Sequence, residues 1–227
     1  MPGGWEEFFH VIGDPYDGPL FPLRDDRNPF EVLIPRLKKA AQEFDVVPLP
    51  MHPTFEPQEW TGSENVLPKG LEPYFLKATS GPAYLVGGMV VRPLALMEQS
   101  GGKFAIARLE GSGSHAGIFK GGRMITFEST HHCFQVAEGT VRFTIEGKSA
   151  DLSAMETVYI PAGKEFSFEV ASNLGAAYVF ANGGGVVELL VKFGSEYKAV
   201  LIPEKAEEFD GERLGGFGKE LGFVMSS

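Results

Sequence analysis

From about Tyr74 onward, apolar and polar positions alternate in short runs separated by turn residues. The clearest run sets Val141, Phe143 and Ile145 against Arg142, Thr144 and Glu146, which is the period of a half-buried strand. Comparable runs cover residues 83–94, 103–111, 123–130, 133–139, 156–163, 166–172, 176–183 and 186–193, making nine predicted strands with 140–147. Between them EGT, EGK, AGK and NGGG place glycine where a hairpin requires a positive φ. Many short strands at this spacing predict an all-β sandwich or barrel.

The first 71 residues follow another pattern. Proline-rich extended stretches surround one predicted helix in NPFEVLIPRLKKAAQEFD, where Asn28 can cap and Pro29 suits the first turn. Leu33, Leu37, Ala41 and Phe44 then share a face, although Pro35 leaves a second start open, because an interior proline removes a hydrogen bond. Trp5, Phe8, Phe9, Phe44, Phe55 and Trp60 make the segment too apolar for a disordered tail, so it is expected to pack as an arm. At the other end, an acidic helix is expected from Pro203, followed by a glycine-rich tail. The predicted organisation is an arm over residues 1–71, a barrel over 72–195 and a C-terminal tail over 196–227.

Composition narrows the partners. A hydrophobic content of 43 % with 19 Phe supports a bulky core, while 29 Gly and 16 Pro favour strands and turns over a helical bundle. The formal charge of −10, with both signs mixed along the chain, argues against nucleic acid or an anionic membrane. No apolar stretch reaches the ~20 residues that cross a bilayer, and the start has no positive region followed by an apolar run. The one cysteine, Cys133, fits a reducing compartment, so a cytoplasmic location is expected.

The run from His132 to Ser172 resembles the cupin superfamily. Its parts are Phe134, Val136 and the Glu138-Gly139 pair, then the strand from Val141 to Glu146, then the Pro161-Ala162-Gly163 turn. The match covers roughly residues 120–171, and the upstream region is similar to the linker and second barrel of fungal quercetin 2,3-dioxygenase-like bicupins. That resemblance implies a jelly-roll barrel. Metal-binding relatives carry a His-x-His pair, a Glu and a late His. Counted from Gly139, those positions fall on Ile125, Phe127, His132 and Phe166. Three of the four are apolar, so no metal and no cofactor are expected, as in the metal-free second barrel of the fungal proteins. Because bicupins pack two barrels together, the resemblance also implies a homodimer whose arm clasps a barrel.

Candidate chemistry centres on His131-His132-Cys133. Adjacent strand residues face opposite ways, and by register His132 enters the barrel. A structural histidine is the plainer reading; as acid or base it would work near neutral pH. Cys133 reads as a small packed hydrophobe. Arg108 and Glu128 could face a common cavity or be solvated; Arg108 could bind an enolate or carboxylate or belong to a surface ion pair, and Tyr159 and Tyr178 could donate phenol hydrogen bonds. His115 lies in a loop that could cover the barrel mouth, whereas His10 and His52 read as structural. The glycine motifs GSGSHAG and GGFGKEL fit neither a dinucleotide nor a phosphate loop and are expected to be turns.

These observations lead to an expected metal-independent isomerase, cyclase or dehydratase acting on a small apolar aromatic or polyketide-like molecule. His132, Arg108 and Tyr159 would be catalytic, and Ile125, Phe127, Phe134, Phe166 and His115 would bind substrate. His132→Ala would then spare folding and lower turnover. Two alternatives stay open. One is a non-catalytic binding or partner-stabilising barrel, expected where the chain's own Phe side chains fill the cavity. The other is a quercetinase-like dioxygenase with a relocated metal site using His115, His131 or His132.

Overall fold

The computed structural model of the chain describes residues 4–18, 26–44, 46, 57–61, 65–78, 80–115, 117–119, 121–207, 209 and 211–226. His52 and Phe55 lie outside them. The chain divides into two compact units, Met1–Phe55 and Glu56–Ser227.

The first unit contains helices α1 (Trp5–Ile12) and α2 (Pro29–Glu43). Trp5, Phe8, Phe9 and Ile12 fall at helical spacing, a short stripe that an arm with a single helix leaves out. Phe8 packs edge-on against Phe44 with ring centroids 5.9 Å apart. The α2 helix starts at Pro29, where the Asn28 side chain accepts from the Phe30 N–H at 3.1 Å, and it tolerates Pro35 within its second turn. Asp14 accepts from Arg36 and Arg27, and those guanidiniums hold its carboxyl down to about 2.

The second unit opens with the short parallel pair β1 (Gln58–Glu59) and β2 (Tyr74–Phe75). Twelve further strands, β3 to β14, build the two sheets of the barrel among the described residues. The chain runs through β3 (Tyr84–Val86), β4 (Met89–Ala95), β5 (Ala105–Gly111), β6 (Met124–Phe127) and β7 (His132–Glu138). It continues through β8 (Thr140–Ile145), β9 (Lys148–Ser153), β10 (Thr157–Ile160), β11 (Glu165–Val170) and β12 (Gly175–Ala181). Helix α3 (Gly185–Phe193) and strand β13 (Ser195–Glu196) follow. Beyond them come the short helices α4 (Gly211–Gly216) and α5 (Gly218–Leu221), and a last strand, β14 (Phe223–Ser226).

Two sheets face one another. The larger has the order β10-β7-β12-β5-β4-β3-β13, and the smaller has the order β14-β6-β11-β8-β9. Alternation decides what lies between them: Ala105, Ala107 and Leu109 of β5 meet Phe134 and Val136 of β7, with Val141 and Phe143 of β8 opposite. This is an all-β jelly roll with a few short helices, as the cupin resemblance implied.

Four local expectations are corrected. Residues 186–193 form α3 and not a strand. The run VVELLVKF is apolar on nearly every side, and so short an apolar run does not separate helix from strand. Residues 148–153, which lie outside the nine predicted strands, are β9, joined to β8 by a tight turn in which Glu146 and Gly147 have φ of 48° and 75°. No helix starts at Pro203 among the described residues, and GGFGKEL lies in α4 and α5 rather than in a turn. The tail ends in β14, which completes the smaller sheet beside β6. No helix among the described residues is long and apolar enough to cross a membrane.

Candidate functional site

The four positions where a cupin holds its metal converge between the sheets. Ile125 and Phe127 project from β6, His132 from β7 and Phe166 from β11, and each is at most 1 % exposed. Ring centroids lie 4.9 Å apart for Phe127 and His132, 5.2 Å for His132 and Phe166, and 6.1 Å for Phe134 and Phe166. Phe143 and Phe168 extend the cluster, 5.1 Å and 5.2 Å from Phe134. The space where a cup would open is occupied by the chain's own rings.

His132 has a definite task there. Its Nε2 accepts from the Val186 N–H at 3.1 Å, engaging one of the amides that the first turn of α3 leaves without an intrahelical partner. That close approach requires Gly185: its φ is 49°, and a Cβ at that position would stand 2.3 Å from His132 Nε2. The acceptor role fixes the neutral Nδ1–H tautomer. Burial, with His131 adding to it, pushes the imidazole down to about 4.

Arg108 and Tyr159 do not join this cluster. Alternation on β5 turns Arg108 outward between the inward Ala107 and Leu109. There it donates to Glu138 at 2.7 Å and to Glu110 at 2.8 Å. Burial works against its charge, but those carboxylates and the Tyr178 hydroxyl raise its pKa above the ordinary guanidinium value. Arg92 lies beside it, bonded to Glu110 and donating to the Val200 carbonyl at 2.6 Å. Tyr159 is 59 % exposed, because its neighbour Ile160 is the inward residue opposite His132. The Ala162 N–H donates to His131 Nδ1, so the Tyr159 hydroxyl 2.7 Å away is a second donor to that nitrogen. Glu128 is exposed, and burial pushes the Cys133 thiol up.

His115 stands apart from both groups. Its Nδ1 is 3.0 Å from the Gly88 carbonyl, and it lines a cavity of about 40 Å³ with Met89, Ile118 and Phe168. That volume is far below the ~300 Å³ at which ligand pockets begin. Larger clefts also lie on the barrel unit, and His115 itself borders one of about 420 Å³ with Phe119, Arg142 and Glu169. One of about 390 Å³ is lined by Arg92, Arg108, Glu110 and Tyr178; one of about 620 Å³ is lined by Trp60, Tyr84 and Leu96. Sequence reasoning places no site at Trp60; the signal available was an aromatic residue in a proline-rich stretch.

A transition metal needs about three nitrogen, oxygen or sulfur ligands in fixed geometry. The four converging positions supply one imidazole nitrogen already engaged by an amide, together with three hydrocarbon side chains, so the donor set does not fit a metal. Among the described residues no group of three or more His, Cys, Asp or Glu is placed to hold one.

No family model matches the chain. Quercetin 2,3-dioxygenase of Bacillus subtilis is 27 % identical over 176 residues, which are 76 % of this chain and 49 % of the relative. The chain thus spans about half the length of that curated relative. Among solved structures, a predicted oxalate decarboxylase of Thermotoga maritima matches with TM-score 0.41 and 13 % identity, covering 48 % of this chain and 98 % of the other. An RmlC-like cupin of Shewanella frigidimarina matches with TM-score 0.36 and 13 % identity, covering 46 % and 84 %. On its own strand topology and this sequence likeness, the chain is a cupin-type jelly-roll protein that resembles the quercetin 2,3-dioxygenase group.

Proposed function

We propose that this chain is a non-catalytic cupin barrel, which acts by binding and by contact with a partner rather than by turnover inside the barrel. The supporting observation is the filled interior, where Ile125, Phe127, His132, Phe134 and Phe166 pack on one another and are each at most 1 % exposed. An acid or base must come within hydrogen-bond reach of its substrate. The His132 acceptor nitrogen is instead held by the Val186 amide, and Arg108 and Tyr159 face the outside. An isomerase or cyclase using these three residues would need the core to open.

The relative's dioxygenase activity is the competing proposal. Plasma mass spectrometry of the purified chain, run beside a quercetin consumption assay, separates the two. Well under one equivalent of iron, copper, manganese, nickel, cobalt or zinc, with no quercetin consumed above the buffer rate, is the expected result. Near one metal per chain, with quercetin consumption that a chelator abolishes, would overturn it.

We propose a second copy of the chain as the partner. On the outer face of the larger sheet, Tyr159, Cys133, Phe180 and Ile106 stand opposite one another across four strands. Phe180 is 47 % exposed in that row. The next row carries Arg108 beside Glu110 and Glu138, both signs together, so two copies about a two-fold axis can present opposite charges to each other. Light scattering on an eluting peak should give twice 24.7 kDa at micromolar concentration, and Phe180→Glu should return it to the single-chain mass. A single-chain mass for the unaltered protein would count against the dimer.

A further inference from the structure

The outer face of the larger sheet sets two arginines directly against each other. Arg92 on β4 pairs with Arg108 on β5, and Arg108 pairs in turn with Tyr178 on β12, so the three side chains form one row across three strands. Like charges in directly opposed cross-strand positions destabilise a sheet unless something negative lies between them. Glu110 is that group: one carboxylate oxygen accepts from Arg92 Nε at 3.2 Å and the other from Arg108 Nε at 2.8 Å.

One carboxylate does not balance two guanidiniums. Glu138, the other carboxylate that accepts from Arg108, has a side chain 53 % exposed, and at the rim Lys77 and Glu59 pair with each other in solvent. Water and salt screen those charges, whereas Arg92, with a side chain 9 % exposed, and Glu110 are screened far less. The sheltered part of the row therefore carries an excess of positive charge on a chain whose formal charge is −10.

Donors remain there as well. Arg92 uses Nε on Glu110 and Nη2 on the Val200 carbonyl, and no described residue accepts from its Nη1. That nitrogen is open to solvent, since among the described residues Trp60 Nε1 alone is both buried and unpaired. Arg108 Nη1 has only the Tyr178 oxygen, at a long 3.4 Å. Both arginines border the outer cleft of about 390 Å³, within the range of pockets for small organic molecules. Leu76, Leu94 and Tyr178 give the cleft an apolar side, and the Tyr74 hydroxyl donates to the Leu94 carbonyl, which ties the Leu76 segment to β4.

We propose that this cleft binds a small aromatic monocarboxylate, its carboxylate accepting from Arg92 and Arg108 and its ring lying against Leu76, Leu94 and Tyr178. The site is on the outside of the sheet, so it extends the binding role proposed above without requiring the interior to be inert. The probes are benzoate and benzamide, which differ in charge and hardly in shape. Calorimetric titration of the full chain at low salt should show saturable binding of benzoate, with benzamide about tenfold weaker for want of a charge-assisted contact. Arg108→Gln should weaken benzoate about tenfold. Glu138→Gln, at an exposed position, should strengthen it about twofold by removing a competing negative charge. A purely structural role of the row would not shift affinity in opposite directions in these two variants. Should Arg108→Gln fail to fold, the benzamide and Glu138→Gln comparisons decide alone. Equal affinity for benzoate and benzamide, absence of benzoate binding up to its solubility limit, or an Arg108→Gln chain with unaltered Tm and unaltered benzoate affinity would overturn the proposal. The titration reads binding alone, so its failure is distinguishable from failure of the metal, quercetin and mass measurements given above.

Discussion

His132→Ala is expected to lower the stability of the barrel unit by about 3 kcal/mol, combining loss of a fully packed side chain with loss of a helix-terminal partner. The imidazole is 1 % exposed, contacts Phe127 and Phe166, and accepts from the Val186 amide. Alanine leaves a void among rigid rings and an amide without an acceptor. Against a typical total of about 5–15 kcal/mol, such a loss is visible as a fall in Tm of roughly 6–12 °C. This differs from a surface-like or mobile catalytic histidine, whose removal would spare folding. Two companion variants separate the contributions. His132→Phe restores ring volume but leaves Val186 unpaired, and should recover part of the loss. His132→Gln restores an acceptor and should recover a different part. Equal Tm values for the unaltered chain and His132→Ala, measured by calorimetry, would refute the packing and capping role.

Acidification should act through the same side chain. Its folded pKa of about 4 lies below the ordinary 6.5, so the unfolded chain binds the proton more readily than the folded one. The stabilisation is therefore fully present above pH 6.5, falls as the pH drops, and is exhausted below pH 4. The interval of roughly two and a half pH units corresponds to about 3 kcal/mol. Urea unfolding across pH 4 to 7 should show this slope in the unaltered chain. In His132→Gln, which has no group titrating at that position, the slope should be largely absent. Parallel curves for the two proteins would show that His132 is not the proton acceptor that weakens the fold.

Much of this arrangement was legible in the chain, and the exceptions have physical reasons. Alternation along residues 140–147 located β8, because one side of that strand meets the core and the other meets solvent. The cupin resemblance, with its ligand positions counted from Gly139, pointed to Ile125, Phe127, His132 and Phe166, and all four are buried. The same parity rule, carried one strand further, would have sent Tyr159 outward. It pairs with Cys133, the outward neighbour of His132. Arg108 was equally readable between Ala107 and Leu109. The role of His132 was less accessible. Its partner Val186 lies 54 residues away at the start of a helix whose uniformly apolar sequence passes for a strand. β14 was hidden for another reason, because Phe223, Val224 and Met225 follow a glycine-rich stretch that weakens any local preference.

The pairing of β14 with β6 has a consequence for how the chain comes to be folded. Phe223 sits opposite Phe127, and β7 to β13 with helices α3 to α5 lie between them in the chain. During synthesis β6 keeps one edge open from its emergence until residues 223–226 appear. Its backbone amides and carbonyls on that side can meanwhile pair with any extended chain nearby. Closing so long a loop is also an entropic hurdle that local strand pairing does not face. Nascent chains released before residue 223 would therefore carry an adhesive strand at the side of an otherwise assembled sheet.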